Sequence, residues 1–437
     1  MRHNKIFLFL LPVMSFFVVL FTSLLIHAQE PPGDYLVMFG EGISVVDREI
    51  AVRNAGAVPR FNYYIVPGAA VHIPNVRALE ALQRNPRVVT IIPDRKVYAH
   101  VIEAVTAKGG VKTTGQVIPS GVNRIGASPG SGSGTGDGIG VAVVDTGIDF
   151  NHNDLKPIGE ACFTAFSSCQ DDNGHGTHVT GIIAARNNTI DVVGVAPDTI
   201  PYAVKVLDQS GNGSDATVIG GLDWIYQSAN SVTPPIRVVN MSLGRDGTID
   251  DDILLRQAIQ KIVTELGISV VVSAGNDSAM EVSQQVPATY PEVMAIASTT
   301  AEDGANKCNF FSGYIKTDTA SFFTTDGRLD SVNKIGVTVS APGETKENIS
   351  GGCMAQSVGI LSTKLGGGTT RMSGTSMAAP HVSGVAARIL EINGQMLPED
   401  IRTYIRSTAS RITLAPLDSP TKGYTFDGER EGIAMVP

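Results

Sequence analysis

Short apolar runs alternate with helical patterns along the middle of this chain, and this alternation limits the fold more than any other feature. The runs are mostly apolar without strict alternation, which is typical of strands buried on both faces. We therefore expect an α/β fold, a three-layer sandwich in which helices flank a central parallel sheet. The predicted strands are 140–144, 202–207, 237–241, 268–273 and 293–297, and the predicted helices between them include 176–185, 214–228 and 253–266.

A smaller unit precedes this region. Residues 34–99 contain, in order, patterns for a strand, a helix, two strands, a helix and a strand. This β-α-β-β-α-β order predicts a small α+β domain of the ferredoxin-like kind. Its strands are predicted at 35–39, 61–66, 69–73 and 88–92, and its helices at 44–55 and 75–83. Residues 100–115 then lose periodicity and contain Lys108-Gly109-Gly110, which predicts a linker.

Three residue types that together perform nucleophilic catalysis occur in suitable settings. Ser376 begins a run of small residues that predicts a buried helix, so it is either a simple N-cap or a nucleophile near unpaired N–H groups. Asp145 directly follows a predicted strand, where the active groups of parallel sheets gather. His175 lies between two glycines. A carboxylate, an imidazole and a hydroxyl in this order form a charge-assisted nucleophile.

Three motifs carry these residues: VVDTGID at Val143, NGHGTHVTG at Asn173 and GTSMAAPHVSG at Gly374. With them the chain resembles the subtilisin-like serine proteases that have an inhibitor-type propeptide, from about Asp34 to the C-terminal region. The resemblance implies a calcium-stabilised serine endopeptidase that acts on polypeptides through an acyl-enzyme. It also implies an autoprocessed zymogen, with 34–99 as inhibitor and folding template, 100–115 as the segment that is cut, and 116–437 as the catalytic domain.

The resemblance assigns roles to particular residues. Asp145, His175 and Ser376 would be the triad, and the Asn276 side chain would join the Ser376 N–H in the oxyanion hole. Two segments would pair with an extended substrate. A pocket without an obvious acidic residue would read the side chain before the scissile bond, which favours large apolar or aromatic residues. The pairing segments are Gly211, Asn212 and Gly213 and Ser242, Leu243 and Gly244, and the pocket includes Ala274, Gly275 and the segment near Pro287.

A calcium site is also implied by the resemblance. Carboxylate, amide and carbonyl oxygens are the ligands that calcium prefers. The alternative interpretation of the Asn-rich segment at 187–190 is a simple turn. Side chains of Gln116, Asp154 and Asn188, with the carbonyls of Arg186, Ile190 and Val192, match the ligand pattern. Gln116 as a ligand places the propeptide cleavage at or before this residue, within 100–115.

The N-terminus predicts export. Basic residues precede an apolar run over 6–26, and Ala28 stands before a polar segment, so residues 1–28 are expected to be a signal peptide. The run is long enough to keep an uncleaved membrane anchor as the alternative. Cysteines fit an oxidising compartment. Pairing near with near would join Cys162 to Cys169 and Cys308 to Cys353, with two other connectivities open.

Composition and context limit the partners. The net charge of −9 argues against nucleic acid, and we expect a monomer. A catalytically silent binding protein on the same fold would require the loss of a triad or oxyanion residue, and all four are present. His178 and His381 are expected to be packing residues. The segment 306–338 is longer than the family pattern leads us to expect.

Overall fold

The computed structural model of the protein describes residues 31–102, 110–111, 113–156, 168–310, 312–420 and 427–437. The predicted signal segment and Cys162 lie outside these residues. Within the described ranges, none of the helices has both the length and the apolar composition needed to cross a membrane.

The first unit is an antiparallel four-stranded sheet with two helices, in the predicted β-α-β-β-α-β order. The side chains of Ser44 and Asn75 cap the helices by accepting backbone N–H groups of the first turn. The strands lie side by side in the order β2-β3-β1-β4, and the unit has an apolar core of its own. The elements are β1 Gly33–Phe39, α1 Val45–Asn54, β2 Val58–Asn62, β3 Gly68–Ile73, α2 Val76–Gln83 and β4 Val88–Pro93.

The second strand lies earlier than the sequence predicts. It spans Val58–Asn62, so the predicted position at 61–66 is wrong. Tyr63, Ile65 and Val66 are apolar and buried, but they pack into a core of the larger domain. The apolar pattern over these residues reflects contact between the two units and not a strand.

The larger domain is built on an eight-stranded sheet in the order β16-β15-β14-β13-β11-β9-β6-β7. From β7 to β14 all neighbours are parallel, and the last two pairs are antiparallel. The strands that follow β4 are β5 Lys96–Ala99, β6 Gly140–Asp145, β7 Ile200–Lys205, β8 Asn212–Ser214, β9 Ile236–Met241, β10 Leu243–Asp246, β11 Ser269–Ser273, β12 Gln285–Val286, β13 Met294–Thr300, β14 Val337–Ile349, β15 Ala355–Thr363 and β16 Thr369–Met372.

Helices cover both faces of this sheet, which confirms the predicted three-layer α/β sandwich. Successive residues of β6 show why its sequence is apolar throughout: Val141 and Val143 pack into one core with α4 and α7, whereas Ala142 and Val144 pack into the other with α5 and α6. The helices that follow α2 are α3 Ser120–Arg124, α4 His175–Ala184, α5 Asp215–Ser228, α6 Ile253–Thr264, α7 Thr375–Ile392 and α8 Pro398–Thr408.

The antiparallel edge of the sheet was not predicted. Strand β14 carries Glu344 and Glu347, both fully buried, and such residues in sequence indicate surface rather than a buried strand. Hydrogen bonds compensate part of their burial, because Glu344 accepts from the Ser357 hydroxyl and Glu347 from the Phe322 N–H. A disulfide between Cys308 and Cys353 joins the β14–β15 hairpin to the long segment before it, as the near pairing predicted.

Candidate active site

The three predicted triad residues lie at element ends on the carboxyl side of the sheet. Asp145 is the last residue of β6, His175 is the first of α4, and Ser376 is in the first turn of α7. His175 Nδ1 lies 2.7 Å from Asp145 Oδ1, and both side chains are buried. Burial alone would lower the pKa of His175, but the charge and hydrogen bond of Asp145 and the charge of Asp171 raise it above its ordinary value.

The Ser376 hydroxyl does not donate to the imidazole in this structure. It donates to the carbonyl oxygen of Ser242 at 2.9 Å, and His175 Nε2 is buried without a hydrogen-bond partner among the described residues. Pro380, inside α7, has no N–H to donate to the Ser376 carbonyl four residues before it. That carbonyl instead accepts the Ser242 hydroxyl at 3.0 Å. This hydrogen bond links the first turn of α7 to Ser242, which directly follows β9.

Asn276 is held with its amide nitrogen unpaired. Its Oδ1 accepts both the N–H and the hydroxyl of Thr375, each at 2.9 Å, which fixes the orientation of the amide. Nδ2 is then left buried without a partner within the described part of the chain. A Cβ added at Gly374 would lie 3.1 Å from this nitrogen and 2.4 Å from the carbonyl oxygen of His100. The missing side chain at Gly374 therefore lets the His100 carbonyl approach the Asn276 amide.

The segment after the first unit occupies the cleft beside Ser376. Strand β5 lies between β8 and β10 and is antiparallel to both, in the sheet order β12-β10-β5-β8. The pairing continues beyond β5, because the His100 N–H donates to Ser242 O at 3.3 Å and the Ile102 N–H donates to Ser373 O at 2.8 Å. The Ser376 N–H points at the His100 carbonyl oxygen, 3.4 Å away. The chain thus passes Ser376 through a tight turn at His100, in which the Val101 N–H donates to Ala99 O at 3.0 Å, and the His100–Val101 bond lies at the hydroxyl-bearing residue.

The predicted pairing segments are the ones that contact β5. Gly213 pairs with Val97, Asn212 with Tyr98, and the Gly211 carbonyl accepts the Ala99 N–H at 3.0 Å. On the other side Leu243 and Gly244 pair with Ala99 and Tyr98. Of the predicted pocket residues, Gly275 donates its N–H to the Thr375 hydroxyl at 3.3 Å, whereas the Ala274 N–H continues the main sheet by donating to Ile296 O.

Comparison with known proteins decides the family. The sequence profile described as the subtilase family matches residues 136–430, which include all three residues of the predicted triad. The chain belongs to the subtilase family. It is 30% identical to subtilisin J of Geobacillus stearothermophilus over 423 residues, which cover 94% of this chain and 95% of that protein. Subtilisin E of Bacillus subtilis (strain 168) matches to the same extent. M-protease of Shouchella clausii is 37% identical over 302 residues, covering 69% of this chain and 67% of that protein. The chain is thus a serine endopeptidase.

The residues predicted to bind calcium are largely brought together in this subtilase. The Gln116 amide contacts the carbonyls of Arg186 and Val192, at 2.7 and 3.2 Å. The Asn188 amide contacts the carboxylate of Asp154 at 2.7 Å. Both contacts are made by the amide nitrogen, and a half-turn of the Gln116 amide would present its oxygen instead. The Asn188 oxygen already accepts the Ile190 N–H. The structure gives Ile190 only one contact here, from its N–H to Asn188 Oδ1.

The two other histidines of the motifs have structural contacts. His178 Nε2 lies 3.0 Å from the Ile360 carbonyl, and His381 Nδ1 lies 2.8 Å from the Met377 carbonyl. Burial lowers the pKa of His178 to about 3 and that of His381 to about 4, so both are neutral near pH 7. These contacts agree with packing roles.

Two carboxylates that join the first unit to the larger domain were missed by sequence reasoning. Asp94 accepts the Ala216 N–H at 2.9 Å, in the first turn of α5. Asp223, within α5, accepts the N–H groups of Tyr64 and Ile65 at 2.8 and 2.6 Å. The signal for Asp223 was an acidic residue within the mostly apolar middle of α5. Asp94 lies in an ordinary polar segment, and nothing in its sequence context points to α5.

Proposed function

We propose that this subtilase is a secreted, calcium-stabilised endopeptidase made as a zymogen, which cuts its own chain between His100 and Val101. Residues up to His100 then serve as an intramolecular inhibitor and folding template. The observation that carries the proposal is the position of the His100 carbonyl. It faces the Ser376 N–H, while Ala99 before it and Ile102 beyond Val101 are hydrogen-bonded into the cleft. An extended peptide held between two strands with its carbonyl at a nucleophile is the arrangement that a substrate requires.

The chemistry follows from the residues around that carbonyl. Ser376 must turn its hydroxyl from Ser242 O toward His175 Nε2, which takes the proton as Oγ attacks the carbonyl carbon. Asp145 orients the imidazole and stabilises the cation that forms. The oxyanion would be bound by the Ser376 N–H and by Asn276 Nδ2, which has no other hydrogen-bond partner among the residues that the structure describes.

The intermediate collapses by breaking the bond to Val101. The Val101 nitrogen leaves as an amine with the proton from His175, and the His100 carbonyl carbon remains bonded to Ser376 as an acyl-enzyme. Water then attacks this ester and gives a proton to His175, which passes it to Ser376 Oγ as the ester bond breaks and the His100 carboxylate is freed. The same steps in external polypeptides give the endopeptidase activity, and pairing through backbone groups makes the cleft tolerant of sequence.

The contacts between the two units support the inhibitor role. Tyr63 is buried against the larger domain and donates its hydroxyl to Ala216 O at 2.9 Å, and the carboxylates Asp94 and Asp223 bind backbone N–H groups across the boundary. These contacts hold α5, which lies against the parallel sheet. Sheets of this kind fold slowly because their contacts are distant in sequence, so a preformed surface that binds one helix would assist folding.

The donor set around Asp154 fits a calcium ion. The Asp154 side chain is fully buried, accepts the Val192 N–H and the Asn188 amide, and has no ion pair within the described ranges. Two amides and the backbone carbonyls supply neutral oxygens, which together with one carboxylate suit calcium. A bound ion would offset the buried charge and tie the segment at Gln116 to the loop that follows α4.

Export fits the bonded cysteines. Cys308 and Cys353 form a disulfide, and Cys169 is also disulfide-bonded. Disulfides persist in oxidising compartments, which agrees with the predicted signal peptide. We propose that the processed enzyme acts as a secreted monomer.

Two measurements test the proposal together. We expect N-terminal sequencing of the secreted wild type to give Val101 after the first cut, and Ser376→Ala to stay joined to its N-terminal unit. A fluorophosphonate probe should label the wild type and not Ser376→Ala. Complete processing of the variant would exclude self-cleavage, and failure of the probe on processed wild type would indicate a catalytically silent protein.

A further inference from the structure

The side chain of His100 lies in a pocket with a polar wall. Its Nδ1 is 2.8 Å from the hydroxyl oxygen of Ser273, the last residue of β11. Ser273 is fully buried, and its hydroxyl is hydrogen-bonded to the imidazole of His100. An apolar side chain in place of His100 would leave the Ser273 hydroxyl without this partner. A buried hydroxyl without a hydrogen bond costs free energy, so such a side chain is disfavoured here.

The backbone of Gly244 forms another wall of the pocket. A Cβ added there would lie 2.6 Å from His100 Cε1 and 3.0 Å from His100 Nε2. The imidazole ring therefore lies beside the Gly244 backbone at its Cε1–Nε2 edge and contacts the Ser273 hydroxyl at Nδ1. The Gly244 backbone restricts where the ring can lie. A hydrogen bond to Ser273 therefore requires a nitrogen at the place in the ring that Nδ1 occupies.

We propose that Ser273 is a specificity-determining residue that makes histidine a favoured residue immediately before the cleaved bond, in the propeptide and in external polypeptides alike. This inference rests on the proposed function, and it replaces the expectation of large apolar or aromatic residues. The hydrogen bond needs no charge on the ring. Burial and the nearby His175 lower the pKa of His100 to about 4, so the bound imidazole is neutral at the pH where the triad works.

Peptide substrates carrying Val-Tyr-Ala-X before the cleaved bond test this directly in the wild-type enzyme. X is histidine, Nδ1-methylhistidine, phenylalanine or glutamine. The methyl group removes the hydrogen bond at Nδ1 and keeps the ring. We expect kcat/KM for histidine to exceed that for Nδ1-methylhistidine and for phenylalanine by about three- to tenfold, which is the range for one neutral hydrogen bond.

Two variants locate the effect. Ser273→Ala should remove the preference for histidine by bringing kcat/KM for the histidine and phenylalanine substrates together, because only the hydroxyl is lost. Ser269→Ala is the matched control: Ser269 is a fully buried serine at the other end of β11, and its loss should leave the preference intact. Fluorophosphonate labelling reports whether each variant is folded.

Two outcomes would overturn the inference while the proposed function stands. One is hydrolysis of phenylalanine or Nδ1-methylhistidine substrates as fast as the histidine substrate by wild type. The other is an unchanged preference in Ser273→Ala that still reacts with the probe. If no substrate is cleaved and the probe does not label the wild type, the proposed function itself fails, and this inference fails with it.

Discussion

The contact of Asp223 with the first unit gives a prediction whose magnitude follows from the structure. The carboxylate accepts two backbone N–H groups, from Tyr64 and Ile65, and is almost fully buried when the units are together. Hydrogen bonds to a charged group contribute about 1.5–3 kcal/mol each. We take the lower end of this range for each bond, which gives about 3 kcal/mol for the pair. That corresponds to about a hundredfold change in affinity.

Asp223→Ala should therefore release the cleaved propeptide about a hundredfold faster. The processed complex, isolated before dissociation, is diluted into a fluorogenic peptide, and the rate at which activity appears reports the release. Asp223→Asn keeps one acceptor oxygen without the charge and should give an intermediate rate. Arg53→Ala is the control, since it removes only an exposed ion pair with Glu49 on α1. Release from Asp223→Ala at the wild-type rate would refute the assigned contribution of this contact.

Three further predictions concern the site and its surroundings. Because Asp145 and Asp171 raise the pKa of His175 above its ordinary value, and the protonated ring cannot act as base, kcat/KM should fall as the pH drops through a midpoint above that of a free imidazole; a lower midpoint would contradict this pairing. In inactive Ser376→Ala, a calcium chelator should lower Tm by about 5 °C or more, and adding Asp154→Asn should abolish that difference; a chelator effect that persists would place the metal elsewhere. Peroxide should slow the wild type by adding a polar oxygen to Met377 beside the nucleophile, whereas Met377→Ala should resist; equal loss in both would exclude Met377.

The parallel part of the sheet could be predicted closely because its strands have a single role. Residues 140–144 are apolar because both faces of β6 are covered, and the structure extends the strand only to Asp145. The same pattern failed in the first unit. Tyr63, Ile65 and Val66 are as apolar as the residues of a buried strand, but they are covered by the larger domain and not by their own sheet. A single sequence does not distinguish burial within a sheet from burial at such a contact.

The antiparallel edge and the bound segment were beyond the sequence for different reasons. Strand β14 includes Glu344 and Glu347, which become buried only because distant groups such as Ser357 and the Phe322 N–H pair with them. The segment around His100 has no periodicity of its own, and its extended form comes from the strands beside it. Sequence reasoning placed the cut within 100–115. The hydrogen bond from the Ser376 N–H to the His100 carbonyl is what points to one bond, His100–Val101.

Continuity of the chain through β5 has a kinetic consequence. While the His100–Val101 bond is intact, the cleft holds a tethered occupant whose effective concentration is set by the chain and does not fall on dilution. The first cut should then be a first-order event at any protein concentration. Once the bond is broken, the same segment becomes a separate ligand at its bulk concentration, and its rebinding is second-order. A dilute zymogen would therefore be cut at the same rate as a concentrated one. It would then become active more completely, because the released segment rebinds less at low concentration.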